Sequence, residues 1–291
     1  MNTFALLYAS VADVQSQNQI VTVAAFYVLG YRHVRLPLWN PYLYEQASRA
    51  RELCFLDNDQ EGDPYYDFSK IGFSFKGYLG LAGFPAVTGG SPHYIYRNGS
   101  ASIMPEPGDV VLDCGGGGFE SFLFASLVGS GGHVHVVDMN TYPKFDRHIA
   151  LNQELAKNVT KYTYALWDKS EETVHFNDDG GRTKIVSPEK GTIAVSTITI
   201  DDLVSSNKLK KIDFIKTDLE GADLNALLGA EKTISTHRPK LAISVYHSTE
   251  DAYPDYIRVV AYLKSLDLGY KFYFTHNSLG KSESVLFAKC S

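Results

Sequence analysis

The chain has 291 residues, 44% of them hydrophobic, and a formal net charge of -6, so it is long enough to bury a full core. The acidic balance gives no electrostatic support for binding nucleic acid or an anionic membrane. Three scattered cysteines, Cys54, Cys114 and Cys290, argue against a disulfide framework and lack metal-ligand spacing. The N-terminus lacks a basic signal-peptide region and the longest apolar run, residues 20–31, is too short to span a bilayer, so we expect a cytoplasmic protein.

Residues 1–104 are predicted to form an N-terminal helical and aromatic extension. Within it, residues 18–30 fit either a helix or a pair of strands, because valines that favour strands alternate with alanines that do not. Residues 41–55 predict an amphipathic helix with a proline in its first turn. The aromatic residues between positions 65 and 96 allow two interpretations: packing against the main domain, or a lid that lines an acceptor pocket.

A turn cluster at residues 105–109 predicts a domain boundary, so that residues 105–291 form the second unit. Strand-like and helix-like segments alternate after it, which is typical of a parallel sheet with crossover helices. The predicted strands are residues 110–114, 133–138, 159–166, 212–217, 241–246, 271–275 and 284–289, and the predicted helices include residues 144–155 and 256–266. A polar insertion, residues 168–191, contains a hairpin turn at 177–181. The last two strands are joined by a turn at residues 277–280, too short for a parallel return, and must be antiparallel.

Residues 110–121, VVLDCGGGGFES, predict a strand, a tight turn and a helix. Glycines let the backbone approach a ligand closely, and the helix N-terminus points N–H groups into the same space. Asp113 before the glycines favours a cationic sulfonium or amino group over a pyrophosphate, which makes S-adenosylmethionine the predicted cofactor. The consecutive glycines and the closing antiparallel pair also favour a methyltransferase sheet over a dehydrogenase sheet with its G-x-G-x-x-G loop.

Five segments together resemble the FkbM family of methyltransferases: residues 110–121, 136–138, 195–203, 213–223 and 238–247. The segment 213–223, DFIKTDLEGAD, is the most specific, and the resemblance covers residues 105–291. It implies a doubly wound, Rossmann-like α/β fold of class I, mostly parallel with an antiparallel C-terminal hairpin strand. It also implies methyl transfer from S-adenosylmethionine, mostly to oxygens of sugars and secondary metabolites. The third glycine of the family loop falls at Phe119 here, and its middle asparagine at Gly117.

The cofactor site is predicted at the ends of the first strands. Its predicted residues are Asp113, Gly115, Gly117, Asp138, Met139, Asp168 and Asp218. Asp113 would accept a hydrogen bond from the ammonium group of the cofactor, directly or through water. The alternative is that nearby backbone N–H groups donate to its carboxylate instead. Asp138 ends the second strand, where a carboxylate can accept from both ribose hydroxyls. Asp168 lies where the family contacts the adenine amino group, although a turn-capping role fits it as well.

The catalytic residues are predicted from three groups at one sheet edge, namely Asp218, Glu220 and His247. The two acids follow the strand 212–217 on one face, at the carboxyl ends of the strands where such folds bind ligands. Methyl transfer requires alignment of donor and acceptor and removal of the acceptor proton. We predict His247 as the general base, with His276 as an alternative. One of the two acids would remove the proton or orient the acceptor hydroxyl, or the pair would bind a divalent cation together with His247. The structural alternative is that they cap the helix that begins near residue 222, which explains one acid more easily than two.

The sequence therefore predicts a methyltransferase that acts on a hydroxyl of a small molecule, such as a sugar or a natural-product scaffold of secondary metabolism. An N-methyltransferase or peptide methyltransferase of the same fold is the main alternative. A nicotinamide-dependent oxidoreductase and a non-catalytic binding protein are further alternatives. The expected partner is a small-molecule acceptor, with no nucleic acid and no membrane. Acceptor identity, metal dependence and homo-oligomer formation stay open.

Overall fold

The structure is a computed structural model that describes residues 3–30, 33–34, 41–80, 83–88, 92–99, 101–139, 143–177, 185–191, 193–247, 254–276 and 283–291. None of the helices within these ranges has the length and apolar character needed to cross a bilayer. The three cysteines are free thiols, as their scattered positions predicted.

Within residues 3–103, the described segments form four α-helices, one short 3-10 helix (Phe68–Ile71) and five short strands. The helices are α1 (Thr3–Ser10), α2 (Val14–Leu29), α3 (Pro41–Cys54) and α4 (Phe84–Thr88). The strands are β1 (Phe55–Asn58), β2 (Pro64–Asp67), β3 (Lys76–Gly77), β4 (Tyr96–Asn98) and β5 (Ala101–Ile103). Helix α2 decides between the two alternatives for residues 18–30: Asp13 caps it by accepting from the Ser16 backbone N–H at 2.8 Å, and Gly30 ends it at a φ of 76°. Helix α3 confirms the amphipathic helix predicted there.

The remaining chain builds a seven-stranded main sheet and a smaller four-stranded sheet. Its strands are β6 (Val110–Cys114), β7 (His133–Val137), β8 (Val159–Tyr162), β9 (Ala165–Leu166), β10 (Thr173–Phe176), β11 (Ile185–Val186), β12 (Ile193–Ile198), β13 (Phe214–Thr217), β14 (Lys240–Ser244), β15 (Tyr270–His276) and β16 (Ser284–Cys290). Its helices are α5 (Phe119–Val128), α6 (Pro143–Leu151), α7 (Gln153–Ala156), α8 (Ile200–Ser206), α9 (Asp223–Leu228), α10 (Glu231–His237) and α11 (Pro254–Ser265).

Seven of these strands form one sheet in the order β15-β16-β14-β13-β6-β7-β8. Strand β16 runs antiparallel to both of its neighbours, and the pairs from β14 to β8 are parallel. The predicted mostly parallel sheet with an antiparallel closing hairpin is therefore confirmed. Because parallel strands end at the same edge, the loops after β6, β7, β13 and β14 lie along one side of the sheet.

Two elements differ from the sequence-based expectation. The helix predicted over residues 144–155 is divided at Asn152, whose side chain accepts from the Lys76 backbone N–H at 2.8 Å and donates to the Lys76 carbonyl at 2.6 Å. The strand predicted over residues 159–166 is split between two sheets: β8 ends the large sheet, and β9 pairs with β12 in a four-stranded sheet. Strands β10 and β11 form the predicted antiparallel hairpin, but most of its turn, and the turn at residues 277–280, lie outside the described residues.

The first hundred residues pack against both faces of the sheet. Helices α1 and α2 contribute Leu7 and Ile20 to the core on one face, which also contains Ile215 of β13. On the opposite face, the aromatic segment contributes Phe68 and Tyr96 to a core with α5. Each fully buried large apolar side chain stabilises the fold by about 1.5–3 kcal/mol. These residues of the aromatic segment therefore pack against the sheet, and the lid interpretation stays a prediction. The domain boundary at residue 105 stays a prediction.

Candidate active site

The loop between β6 and α5 is built from four glycines, two of them in a left-handed backbone. Gly115 has a φ of +79° and Gly118 a φ of +125°, conformations that residues with a Cβ adopt at a cost. A Cβ on Gly115 would lie 2.0 Å from the Asp218 carbonyl oxygen, whereas one on Gly117 would meet none of the described atoms within 4 Å. The loop is therefore packed tightly against Asp218 at Gly115 and has open space at Gly117.

The N-terminus of α5 faces this open side of the loop. Within the described chain, no side chain caps the helix at Gly118. The first N–H groups of a helix have no intrahelical partner and carry a partial positive charge. They can therefore donate hydrogen bonds to the oxygens of a ligand in the loop.

Beneath the loop, Asp113 and Lys216 form a buried ion pair. Lys216 lies opposite Asp113 in the register of β13 and β6, and its Nζ is 3.2 Å from Asp113 Oδ1. Their side chains are 2% and 0% exposed. The Ser121 hydroxyl donates to Asp113 Oδ2 at 2.5 Å, and Lys216 also donates to the Gly115 carbonyl at 2.9 Å. Both Asp113 oxygens thus face protein partners, and its predicted contact with a cofactor ammonium stays untested.

Lys216 is a site residue to which the sequence analysis assigned no role. Burial lowers its pKa, but the charges of Asp113 and Asp218 outweigh burial and raise the pKa above its ordinary value. The Lys216 ammonium also lies 5.0 Å from the centre of the Tyr94 ring. The sequence did contain one sign of this role: Lys216 lies within a predicted strand whose other residues indicate complete burial.

His247 lies among three carboxylates at the carboxyl edge of the sheet. Its Nε2 is 3.3 Å from Asp218 Oδ1 and 3.8 Å from Glu220 Oε2, and its Nδ1 is 3.6 Å from Asp223 Oδ2. The Tyr246 hydroxyl donates to Asp218 at 3.3 Å. The structure therefore brings the three predicted catalytic residues together and adds Asp223, which the sequence analysis did not select.

The charges in this cluster favour one protonation state. Burial lowers the pKa of His247, but the nearby carboxylates of Asp223 and Asp218 raise it overall. Burial raises the pKa of Asp218, but the charges of Lys216 and His247 lower it overall. An ionised Asp218 thus faces an imidazole that favours its protonated form and is only 5% exposed.

The helix-capping alternative finds no support in the described residues. Helix α9 follows Ala222, and no side chain among them caps it there. Asp223 accepts from the Leu219 backbone N–H at 3.3 Å, while Glu220 sits in a left-handed turn at a φ of +52°. His276, the alternative base, lies inside β15 with its Nδ1 2.8 Å from Ser284 Oγ and is 1% exposed. The structure therefore places His276 in the buried core.

A second titratable pair lies at this edge of the sheet, His93 and Glu283, which the sequence analysis did not predict. His93 Nε2 lies 3.0 Å from Glu283 Oε2. Burial, followed by the charges of Asp218 and Glu120, raises the pKa of Glu283 to about 7. Burial lowers the pKa of His93 to about 4. No sequence pattern joins these two residues, because His93 belongs to the aromatic segment and Glu283 precedes the last strand.

The residues predicted to hold the nucleoside lie at two places. Asp138 directly follows β7, the neighbour of β6, and is 9% exposed, with Met139 half-buried beside it. Asp168 follows β9 in the smaller sheet and is half-buried. Their contacts with ribose and adenine stay predictions. Among the residues that the structure describes, no group of three or more His, Cys, Asp or Glu side chains is placed to hold a metal ion.

Comparison with known proteins identifies a related domain. A sequence model described as the methyltransferase FkbM domain matches residues 109–272, more than half of the chain. No curated protein matches. Among solved structures, the chain is similar to a methyltransferase FkbM from Methylobacillus flagellatus KT, with 19% identity and a TM-score of 0.58 over 98% of this chain. The chain spans only 57% of that protein, and at this identity the likeness shows the fold alone.

Two further solved structures are more distant. Fibrillarin from Aeropyrum pernix, in complex with S-adenosyl-L-methionine, shares 10% identity over 64% of this chain and 68% of its own, with a TM-score of 0.41. An O-methyltransferase from Bacillus cereus, in complex with SAH, shares 14% identity over 63% of this chain and 74% of its own, with a TM-score of 0.39.

Proposed function

The chain belongs to the FkbM methyltransferase family, and we propose that it transfers a methyl group from S-adenosylmethionine to a hydroxyl oxygen of a small molecule. The observation that carries this proposal is the proximity of two features. The glycine loop has an open face at Gly117, and the loop residue Gly115 touches the backbone of Asp218, which belongs to the carboxylate cluster. A cofactor on the loop would therefore lie beside groups that can bind an acceptor.

The residues present fit S-adenosylmethionine. The open face at Gly117 leaves room that a Cβ would fill, and the uncapped N-terminus of α5 supplies N–H donors. We assign the backbone of Gly115–Gly118 to the methionine end, Asp138 and Met139 to the ribose, and Asp168 to the adenine amino group. When bound, the cofactor supplies a methyl group on a cationic sulfonium. Asp218 places negative charge on the same side of the sheet, which favours a cation there.

Asp218 is proposed to orient the acceptor hydroxyl. Its lowered pKa keeps the carboxylate ionised near neutral pH, and its side chain is partly exposed, so it can accept a hydrogen bond from an incoming hydroxyl. Glu220, also partly exposed, would assist at the same edge.

His247 is proposed to hold Asp218 in place. A raised pKa and burial between Asp218 and Asp223 favour an imidazolium that already carries the proton a base would have to accept. We therefore reassign His247 from general base to positioning residue.

The test is transfer of radiolabelled methyl from S-adenosylmethionine to two pools of compounds at equal concentration. One pool contains hydroxylated probes (methyl glucoside, inositol and catechol), and the other contains primary amines and short peptides. We expect label in the hydroxylated pool and a loss of about 100-fold in Asp218→Asn. Asp267→Asn, an exposed position, is the matched control and should retain the activity. Label confined to the amine pool would contradict oxygen as the acceptor.

A further inference from the structure

His93 and Glu283 meet at the edge of the sheet that carries Asp218. His93 lies between α4 and β4, and Glu283 directly precedes β16. Their side chains approach to 3.0 Å and are 20% and 35% exposed, so the pair is covered by protein on one side and reachable from solvent on the other. Glu283 has a left-handed backbone with a φ of +66°, which is unfavourable for a residue with a Cβ and is often found where a fold fixes a functional side chain.

The groups that act on the pKa of Glu283 come from three neighbouring parts of the fold. Asp218 follows β13, Glu120 lies in the first turn of α5, and both add negative charge, whereas Tyr246 and His247 after β14 favour the ionised carboxylate. His93 is itself affected by Asp218, Lys216 and His276. Burial keeps His93 neutral, and burial together with the charges of Asp218 and Glu120 leaves the carboxyl of Glu283 able to gain or lose a proton near neutral pH. An ordinary ion pair would instead hold a charged imidazole and a strongly acidic carboxyl.

We propose that Glu283, beside His93, accepts the proton that the acceptor hydroxyl loses during methyl transfer. This inference rests on the proposed function. The acceptor oxygen forms a bond to the methyl carbon while the carbon–sulfur bond breaks, and the electron pair of that bond stays on sulfur, which becomes a neutral thioether. The O–H bond breaks, its electron pair stays on the oxygen, and the proton moves to the Glu283 carboxylate. No further reactant is required.

Two neighbouring groups are less suited to this role. Asp218 is the stronger acid because Lys216 and His247 lower its pKa, and a weakly basic carboxylate is a poor proton acceptor near neutral pH. His247 is nearly buried and favours its protonated form. Glu283 combines partial exposure with a proton affinity matched to neutral pH, and the neutral His93 lies 3.0 Å from its carboxylate without taking its proton.

The first arm of the test needs no acceptor. Carbon-13 NMR of protein labelled at glutamate Cδ follows each carboxyl as the pH is raised, and Glu283→Gln identifies the Glu283 signal. Glu171→Gln is the matched control, because Glu171 is also a glutamate with a left-handed backbone (φ +63°) but is exposed. We expect one carboxyl to titrate near neutral pH in the wild type and in Glu171→Gln, and to be absent in Glu283→Gln. A Glu283 carboxyl that titrates in the ordinary range, about 4.3, beside a charged His93 would overturn the proposal.

The second arm measures methyl transfer to the pool of methyl glucoside, inositol and catechol, together with binding of S-adenosylhomocysteine. Glu283→Gln is expected to lower kcat by about 100-fold or more and to leave cofactor affinity within about threefold of the wild type. In the wild type, kcat should rise with pH as Glu283 loses its proton, and His93→Asn should shift this profile. Unchanged kcat in Glu283→Gln, with or without a change in stability, would overturn the proposal.

The two arms separate the two claims. Absence of S-adenosylhomocysteine binding to the wild-type protein would overturn the proposed function. Binding without transfer to any hydroxylated probe would remove the hydroxyl acceptor and, with it, the proton that Glu283 is proposed to accept. Transfer with unchanged kcat in Glu283→Gln would overturn the role of Glu283 alone.

Discussion

Lys216 Nζ lies 3.2 Å from Asp113 Oδ1 in the centre of the sheet, and neither side chain is more than 2% exposed. The pair joins β13 to β6 directly below the glycine loop, and Lys216 also binds the Gly115 carbonyl. The shape of the loop and the stability of the sheet therefore depend on the same ammonium group.

Removal of one member of this pair should destabilise the protein. Lys216→Met leaves a buried carboxylate without its counter-charge, which costs about 3–5 kcal/mol in comparable cases. The double variant Lys216→Met with Asp113→Asn removes both charges and should recover a large part of this loss. Urea unfolding of the wild type, both single variants and the double variant measures the coupling. Strictly additive losses would show that the two groups do not stabilise each other.

Two alanine substitutions in the glycine loop should have opposite consequences. Gly115→Ala places a Cβ 2.0 Å from the Asp218 carbonyl oxygen at a φ of +79°, so we expect a loss of stability of at least about 1–2 kcal/mol. Gly117→Ala meets no described atom within 4 Å and should leave the urea midpoint nearly unchanged. It should nevertheless weaken S-adenosylhomocysteine binding by about tenfold or more, because the methyl group occupies the face on which the cofactor would lie. Equal affinities of Gly117→Ala and the wild type would place the cofactor elsewhere.

His247 and His93 should give the stability opposite dependences on pH. The pKa of His247 is raised in the folded protein, so its contribution is complete below the unfolded-state pKa of about 6.5 and is lost as pH rises through the folded-state pKa. The pKa of His93 falls to about 4, so its contribution is present above about 6.5 and is lost as pH falls toward the folded-state value.

Urea unfolding of His247→Asn and His93→Asn across this pH range measures both contributions. The stability difference between wild type and His247→Asn should shrink toward alkaline pH, whereas the difference for His93→Asn should shrink toward acidic pH. Parallel trends in the two variants would contradict the assigned environments.

Arg147 should anchor the acidic loop between β1 and β2. Its guanidinium lies 2.6 Å from Asp59, 3.0 Å from Asp63 and 3.2 Å from Glu61. Arg147→Met leaves three carboxylates close together without a cation, so we expect cleavage after Glu61 by a glutamate-specific protease to become roughly tenfold faster through local opening. Arg49→Met is the control, since Arg49 pairs with Glu45 on the exposed surface of α3. Equal cleavage rates in the two variants would argue against anchoring.

Much of the fold followed from local sequence patterns. The run from residue 110 to the glycines predicted β6, the loop and α5, and the short link before residue 284 required the antiparallel β16. Local patterns could not predict where a strand changes partners, as between β8 and β9, because that depends on tertiary pairing. The break at Asn152 likewise depends on the Lys76 backbone, which is distant in sequence.

The sequence predicted those site residues that directly follow strands. It did not predict contacts between segments that are distant in sequence. Asp218, Glu220 and His247 were placed at one edge because parallel strands end together. The pairing of Lys216 with Asp113 needs the register of β13 against β6. His93 meets Glu283 only because the aromatic segment packs across the sheet toward the start of β16. Protonation states also depend on burial and nearby charges, so the raised pKa of His247 could not be predicted from the sequence.

Calorimetric titration with S-adenosylhomocysteine tests the central claim most directly, with NADH as the competing ligand and Gly117→Ala as the loop control. The account predicts a dissociation constant on the order of micromolar for S-adenosylhomocysteine, weakened in Gly117→Ala, and no binding of NADH. Absence of S-adenosylhomocysteine binding to the wild-type protein, or NADH binding in its place, would contradict it.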